Sequence, residues 1–235
     1  MNKLSYREFI AELVGTMFIL IFGNGVCAMT NLFNLGGYTN ITFAWGLGVL
    51  FGILISTRIS GAHLNPAVTL ALILTKRFPL GKAPHYISAQ MLGGFLGAAL
   101  VYYFYQAKLL QVDPNLLHSA GIFATFPAVK AFLPSLMAEI IATAILLFGI
   151  LAIVDHFTLD KAPFLAPLAV AALVVAIGMA LGGMHGYAMN PARDFSPRLF
   201  TAILGFANNG LTDGSQIWLA PVVGPLIGGP LGALV

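Results

Sequence analysis

The sequence predicts an all-α membrane protein with six transmembrane helices and two shorter helices that enter the bilayer without crossing it. Three observations support this fold class: the composition, the lengths of the apolar runs and an internal repeat. Of the 235 residues, 59% are hydrophobic and 8% are charged, whereas a soluble domain has about 25% charged residues. Because a water-soluble fold cannot bury that much apolar surface, the composition indicates an integral membrane protein.

Six apolar runs bounded by turn residues are long enough to cross a hydrocarbon core, which takes about 20 helical residues. The predicted spans lie near residues 6–29, 39–59, 83–106, 132–154, 162–182 and 215–235. Two further apolar segments, near 66–75 and 191–203, are too short to cross. We therefore expect each of them to form a re-entrant half-helix.

The basic residues predict the orientation. The net charge of +3 comes from residues that are dispersed along the chain, so we expect no nucleic-acid partner. With six spans both termini share one side, which holds Lys3, Arg7, Lys76, Arg77, Lys82 and Lys161, against Lys108 and Lys130 on the other. Since Lys and Arg are enriched in cytoplasmic loops, the sequence predicts a multi-pass protein of the cell membrane with both termini in the cytoplasm.

An internal repeat divides the chain into two halves. Ala11-Glu-Leu-Val-Gly-Thr16 returns as Ala138-Glu-Ile-Ile-Ala-Thr143, and Gly61-Ala-His-Leu-Asn-Pro-Ala67 returns as Gly186-Tyr-Ala-Met-Asn-Pro-Ala192. The predicted halves are residues 1–106 and 132–235, joined by an outer loop at 107–131. Because each half has three spans, the second half must be inverted, an arrangement that places broken helices near the bilayer midplane.

The tripeptide Asn-Pro-Ala predicts where both half-helices begin, because Asn is a preferred N-cap and Pro is favoured at the first helical position. Each helix start carries about half a positive elementary charge, which disfavours cations. The backbone just before each start cannot be helical, and its carbonyls are tolerated at membrane depth only where they line a water-filled cavity. The predicted pore residues are Asn65, Pro66, Ala67, Asn190, Pro191 and Ala192, with carbonyls from Gly61, Ala62, His63, Gly186 and Ala188.

Three segments resemble the aquaporin, or major intrinsic protein, family, and specifically its bacterial glycerol-facilitator branch. Ser60–Thr69 and Gly186–Phe195 are similar to its two signature loops, and Ala120–Pro127 is similar to the outer loop of that branch. The resemblance covers essentially the whole chain. It implies a homotetramer with one pore per subunit that passively conducts water, glycerol and other small uncharged solutes, such as dihydroxyacetone, urea or protonated lactic acid, but not ions or protons.

The resemblance also implies a selectivity filter formed by Trp45, Gly178, Tyr187 and Arg193. Trp45 and Tyr187 would face the carbon backbone of a solute, and Arg193 would donate hydrogen bonds to its hydroxyls. Gly178 stands where water-selective members are expected to carry histidine, which implies a wider pore. Tyr187 departs from the phenylalanine of the best-known glycerol pattern, so a channel that conducts mainly water stays an alternative.

Two carboxylates fall inside predicted spans, where an ionisable residue is a candidate functional group. Glu12 and Glu139 occupy equivalent positions in the repeat. By the resemblance they accept hydrogen bonds from the re-entrant loops, and Asp194, four residues before Arg198, supports the second loop. The alternative is that the two glutamates carry protons in a coupled secondary transporter.

The residue pattern gives no support to an enzyme. Cys27 is the single cysteine, which excludes an intramolecular disulfide framework, and no serine has a convincing base partner. Four of the histidines lack metal-ligand spacing, namely His85, His118, His156 and His185. We therefore expect no catalytic activity, no metal and no cofactor, and partners limited to small neutral solutes, water, lipids and other copies of the chain.

Overall fold

The computed structural model describes residues 5–156 and 164–235, which form eight α-helices and no strand within these ranges. The helices are α1 (Tyr6–Phe33), α2 (Tyr38–Ser60), α3 (Pro66–Leu74), α4 (Ala83–Val112), α5 (Phe132–His156), α6 (Leu165–Leu181), α7 (Pro191–Ile203) and α8 (Leu219–Ala233). Short 3₁₀ helices lie at Leu80–Lys82 and Ser119–Ile122. The all-helical prediction is confirmed.

The lengths of the helices separate them into three groups. By length and composition α1, α2, α4 and α5 can each cross a membrane, and α6 and α8 are apolar helices of 17 and 15 residues. The remaining two, α3 and α7, have 9 and 13 residues. At 1.5 Å per residue they extend about 14 Å and 20 Å, which is less than the thickness of a hydrocarbon core.

Three helix boundaries differ from the predicted ones by four residues or more, and one of them is the end of α1 at Phe33 instead of 29. The fourth helix continues to Val112 because residues 107–112 are mostly good helix formers. The last helix begins at Leu219 instead of 215, because Asn209 and Asp213 accept hydrogen bonds from backbone N–H groups of the preceding loop. Such local side-chain bonds compete with helix formation. Lys3, Lys161 and the predicted start of a span at 162 lie outside the described residues.

Close helix contacts repeat in the two halves. Helix α4 packs on α1, and α8 packs on α5. A Cβ atom on Gly97 of α4 would lie 2.6 Å from the Leu20 side chain, and one on Gly224 of α8 would lie 2.6 Å from the Glu139 side chain. Both pairs therefore need glycine at the contact, as is common where membrane helices approach closely.

The short helices interlock the two halves. Helix α3 packs on α8, where a Cβ on Gly229 would lie 3.1 Å from the Ala67 carbonyl oxygen. Helix α7 packs on α4, where a Cβ on Gly94 would lie 2.5 Å from the Ala192 carbonyl oxygen. Each short helix thus rests on the last helix of the opposite half, and this brings the starts of α3 and α7 together.

Candidate functional site

Asn65 and Asn190 begin the two short helices and also bind each other's loops. The Asn65 Oδ1 accepts from the Ala67 N–H at 2.8 Å, and the Asn190 Oδ1 accepts from the Ala192 N–H at 2.9 Å. The Asn65 Nδ2 donates to the Met189 carbonyl at 2.8 Å, while the Asn190 Nδ2 donates to the Leu64 carbonyl at 2.9 Å. Each amide NH₂ has a second N–H, so one donor per asparagine is left for a solute.

The backbone before each asparagine adopts the same left-handed pattern in both halves. Positive φ angles occur at Gly61 (86°), Ala62 (55°) and Leu64 (52°), and at Gly186 (76°), Tyr187 (42°) and Met189 (51°). These are equivalent repeat positions. A non-glycine residue with positive φ costs about 1–3 kcal/mol and persists only where surrounding contacts hold it. The buried glutamates provide such contacts.

Glu12 holds the first loop with both carboxylate oxygens. Its Oε1 accepts from the Ser60 hydroxyl at 2.6 Å and from the His63 N–H at 2.9 Å. Its Oε2 accepts from the Leu64 N–H and from the Gln90 Nε2, each at 2.7 Å. Sequence reasoning missed Ser60 and Gln90, which lie in other helices.

Glu139 holds the second loop with fewer contacts. Its Oε1 accepts from the Ala188 N–H and its Oε2 from the Met189 N–H, both at 2.8 Å. The backbone bonds of the two glutamates fall at equivalent positions of the repeat. Both carboxylates therefore fix which way the neighbouring carbonyls point.

A cavity of about 550 Å³ lies between the two halves. Arg77 lines it beside the C-terminal end of α5, where it bonds to Asp155, and Trp45, Tyr187 and Arg193 also line it. Other predicted pore residues in the wall are Gly61, Ala62, His63, Asn65, Ala188 and Asn190. Apolar side chains from α2, α5 and α6 form much of the rest. The predicted pore and filter residues that do not line this cavity are Pro66, Ala67, Gly178, Gly186, Pro191 and Ala192.

Arg193, Trp45 and Tyr187 form a compact group in the cavity wall. The Arg193 Cζ lies 3.9 Å from the centre of the Trp45 ring. Arg193 is 7% exposed, and neither its Nη1 nor the Tyr187 hydroxyl has a hydrogen-bond partner among the described residues. A buried polar group without a partner costs about 1–3 kcal/mol. The wall therefore presents two unsatisfied polar groups beside an aromatic face.

Gly178 lies behind Tyr187. A Cβ on Gly178 would lie 2.8 Å from the Tyr187 Cζ and 3.0 Å from the Thr42 Cγ2. The Gly178 carbonyl accepts from the Tyr38 hydroxyl at 2.8 Å. The space that glycine leaves is thus occupied by the Tyr187 ring, so Gly178 affects the cavity through the position of that ring.

Asp194 and Arg198 form a fully buried ion pair, with 2.9 Å between the Asp194 Oδ1 and the Arg198 Nε. The Asp194 Oδ2 accepts hydrogen bonds from the Thr125 N–H at 2.8 Å and from the Thr125 hydroxyl at 2.7 Å. Arg198 donates to the Thr125 carbonyl at 2.6 Å and to the Asn209 carbonyl at 2.9 Å. The pair therefore joins α7 to the loop that holds Thr125 and to the loop between α7 and α8.

His63 lies in the cavity wall beside an aromatic cluster. Its ring centre is 4.5 Å from that of Phe78 and 4.8 Å from that of Tyr86, and its Nδ1 is 3.1 Å from the Thr69 hydroxyl. Within the described ranges no group of three or more His, Cys, Asp or Glu residues could hold a metal ion. The arrangement suits passage of a neutral molecule, with donors, acceptors and an aromatic face along one cavity.

Comparisons with known proteins agree with this geometry. The "Major intrinsic protein" family profile matches residues 1–235. The chain is 44% identical over 230 residues to the "Probable glycerol uptake facilitator protein" of Thermotoga maritima, covering 96% of each chain. It is 42% identical to the "Glycerol uptake facilitator protein" of Bacillus subtilis, covering 96% of this chain and 82% of that one.

A solved structure gives the same result at the level of the fold. The "X-ray structure of the aquaglyceroporin from Plasmodium falciparum" superimposes with a TM-score of 0.86 at 32% identity, covering 97% of this chain and 93% of that one. The fold, the paired Asn-Pro-Ala helix starts and the full-length family match lead to one conclusion. The chain is a multi-pass membrane protein that belongs to the major intrinsic protein family.

Proposed function

We propose that this chain is a passive channel that conducts glycerol and similar small uncharged solutes, as well as water. The observation that carries the proposal is the group formed by Trp45, Tyr187 and Arg193 in the cavity wall. The Arg193 Nη1 and the Tyr187 hydroxyl are buried and unpaired among the described residues, and the Arg193 guanidinium lies over the Trp45 ring. A polyol supplies the hydroxyls that these two groups lack, and its carbon atoms fit against the aromatic face.

The path beyond this group supports stepwise exchange of hydrogen bonds. Loop carbonyls in the wall accept bonds from solute hydroxyls, and the spare N–H groups of Asn65 and Asn190 donate to them. The solute thereby loses water on one side while its other side faces apolar residues. Transport of this kind is downhill, so its direction follows the concentration difference. It requires neither a cofactor nor catalysis.

Exclusion of ions and protons follows from the charges along the path. The starts of α3 and α7 face one another across the loops, and each adds partial positive charge. Arg193 adds a fixed positive charge in the wall of the cavity. A cation at this place loses its hydration water, and the N–H donors of the two helix starts and of Arg193 cannot replace that water as ligands. The roles of Glu12, Glu139 and Asp194 are to hold the loops in place.

The topology that we propose has six transmembrane helices and two re-entrant helices, α3 and α7. Residues 1–106 and 132–235 are inverted halves joined by the outer loop at 107–131. Both termini lie in the cytoplasm of a cell whose plasma membrane holds the channel. Four copies assemble into a homotetramer surrounded by lipid, each copy with its own pore.

One observation favours the second candidate, a channel that conducts mainly water. The Tyr187 ring fills the space over Gly178, so the expected widening by glycine is partly cancelled. A narrower passage selects water over a three-carbon polyol. The two candidates differ in one measurable ratio, the permeability for glycerol relative to that for water.

The test reconstitutes the purified protein in liposomes and follows water and glycerol entry by stopped-flow light scattering. The variants are Gly178→His and, as a matched control, Gly183→Ala, since a Cβ on Gly183 would meet nothing within 4 Å. We expect rapid glycerol entry in the wild type and the control, and its loss in Gly178→His with water flow retained. Glycerol entry no faster than in empty liposomes, with fast water flow, would establish the second candidate instead.

A further inference from the structure

The outer side of the molecule has a second cavity that the proposed channel does not use. Its volume of about 510 Å³ falls in the range of small-molecule sites, about 300–1,000 Å³. Its walls come from the loop before α5, the start of α5, the segment before α7 and the loop between α7 and α8. No described residue lines both this cavity and the pore cavity. We call it the outer cavity.

Two polar side chains in the wall of the outer cavity are buried without a partner. His185 is 1% exposed, and neither of its ring nitrogens has a hydrogen-bond partner among the described residues. The Oδ1 of Asn208 is likewise buried and unpaired. Leaving such groups unpaired costs about 1–3 kcal/mol each. A ligand with hydroxyl groups would satisfy all three atoms.

The charges around the outer cavity favour a neutral ligand. Lys130 and Asp213 both line it and carry opposite charges. The carboxylate of Asp213 already accepts from the Gly210 N–H and from the Ser215 N–H and hydroxyl. Burial lowers the pKa of His185 to about 4, so at neutral pH the imidazole is uncharged, with one nitrogen donating and the other accepting.

The remaining wall supplies an apolar face. Phe126 and Phe132 line the outer cavity together with Pro127. Aromatic walls with a few convergent polar groups are typical of small-molecule sites. Such a wall contacts the C–H face of a polyhydroxylated ligand, and the hydroxyls of the ligand then point toward His185 and Asn208.

From this arrangement we propose that the outer cavity is a binding site for a neutral polyol, whose hydroxyls bond to His185 and Asn208 and whose carbon skeleton packs on Phe126 and Phe132. The site is distinct from the pore. Its occupant does not need to be a solute that the channel conducts, and its existence does not depend on which solute passes.

The test uses myo-inositol as the probe and saturation-transfer difference NMR on the purified full-length protein in detergent. Asn208→Leu removes the unpaired acceptor at nearly constant volume. Ala131→Trp adds a bulky side chain at a half-exposed position in the cavity wall and leaves the residues His185 and Asn208 unchanged. Gln111→Leu, on the same side but outside the cavity, is the matched control. We expect a saturable signal in the wild type and control, and a dissociation constant about tenfold higher in both cavity variants.

Three results would overturn the proposal. No saturable signal in the wild type means that the outer cavity holds water only. Equal affinities in all four proteins mean that the probe binds elsewhere, such as the mouth of the pore. A signal that is present in phosphatidylcholine nanodiscs but lost in phosphatidylglycerol nanodiscs means that a lipid headgroup is the natural occupant.

Discussion

Tyr187 and Gly178 are the pair of residues that, in the proposed channel, governs the width of the cavity. A methyl group on Gly178 would lie 2.8 Å from the Tyr187 Cζ, closer than packed carbon atoms tolerate. We therefore predict that Gly178→Ala displaces the Tyr187 ring into the cavity and lowers glycerol permeability several-fold, with a smaller effect on water. Stopped-flow measurements on liposomes report both rates.

The double variant Gly178→Ala/Tyr187→Leu separates this mechanism from a general disturbance of α6. A smaller side chain at 187 removes the clash, so the double variant should conduct glycerol faster than Gly178→Ala alone, but more slowly than the wild type because it lacks the Tyr187 hydroxyl. Because the two residues are in contact, the effects of the single changes should not add. Additive losses in the double variant would show that the contact does not govern the pore.

The buried glutamates act through their acceptor atoms. In Glu139→Gln the new NH₂ group must face either the Ala188 or the Met189 N–H, so one backbone donor loses its partner. We predict a loss of about 1–3 kcal/mol in the free energy of unfolding, measured by thermal unfolding in detergent. Glu8→Gln is the control, because Glu8 forms a partly exposed pair with Lys82 worth less than about 1 kcal/mol.

Flux measurements distinguish glutamates that hold the loops in place from glutamates that carry protons. If the glutamates only hold the loops, glycerol entry into wild-type liposomes has the same rate with and without an imposed proton gradient. Uphill accumulation driven by that gradient would assign the chain to the coupled transporters and end the channel proposal.

The sequence predicted which asparagines begin the two short helices, but it did not predict the residues that these asparagines contact. Asn followed by Pro is a cap motif that acts within three residues, so the starts of α3 and α7 could be read directly from the sequence. The bonds from Asn65 to Met189 and from Asn190 to Leu64 join residues more than a hundred positions apart. No local pattern encodes such contacts, and only the packing of the two halves produces them.

The loops that hold Thr125 and Asn209 depend on the buried pair Asp194–Arg198. Arg198→Met leaves the Asp194 carboxylate buried without its counter-ion, for which the expected cost is about 3–5 kcal/mol. The double variant Asp194→Leu/Arg198→Met removes both charges, so it should be more stable than the single variant. Thermal unfolding in detergent measures both effects.

Arg77→Met is the matched control for this prediction. Arg77 forms a bidentate pair with Asp155, at 2.7 and 2.9 Å, but both side chains are exposed. Exposed pairs contribute about 0–1 kcal/mol, so this change should have little effect. A double variant as unstable as Arg198→Met alone would show that the network acts through packing and not through charge.

The 3₁₀ helix at Ser119–Ile122 depends on Asp113. Burial acts to raise the pKa of this carboxyl, but N–H groups of Leu117, His118 and Ser119 donate to it and lower the pKa from 3.8 to about 2. A lowered folded-state pKa adds stability that is complete above pH 3.8 and is lost as the pH falls through 2. Protonated Asp and Asn are similar as acceptors.

We therefore predict that Asp113→Asn lowers the unfolding temperature by a constant amount between pH 7 and about pH 4, and that the difference shrinks as the pH approaches 2. Calorimetry at several pH values measures it. Lys108→Gln, near the same end of α4, should show no such convergence. A difference that persists at the lowest pH would mean that the Asp113 carboxylate is not the source of the stability.

The chain as a whole was more predictable in its order of helices than in their ends. Apolar runs and caps depend on chemistry within one helix length, and they predicted the approximate positions of the eight α-helices. They did not predict the 3₁₀ helices at Leu80–Lys82 and Ser119–Ile122. The start of α8 was missed because Asn209 and Asp213 bond the loop before it. Such bonds depend on a loop conformation that hydrophobicity does not report.

The proposed topology makes a prediction for cysteine labelling in intact cells. Cys27 is the single cysteine and is buried, so the wild type should react little. If α3 and α7 are re-entrant, Lys130→Cys and Thr212→Cys react with a membrane-impermeant maleimide from outside. Arg7→Cys and Lys76→Cys react only after permeabilisation. All four positions are exposed in the structure.

Thr212 carries the decisive information because it follows α7. A re-entrant α7 returns the chain to the side from which it entered, whereas a crossing α7 would put Thr212 on the cytoplasmic side. Lys76 gives the equivalent test for α3. Labelling of Lys130→Cys from outside together with protection of Thr212→Cys would mean that α7 crosses, and the inverted halves would then have to be abandoned. If both positions are labelled from outside, the loop after α7 lies on the same side as the loop before α5. A helix of 13 residues that enters from that side must then return to it, as a half-helix does.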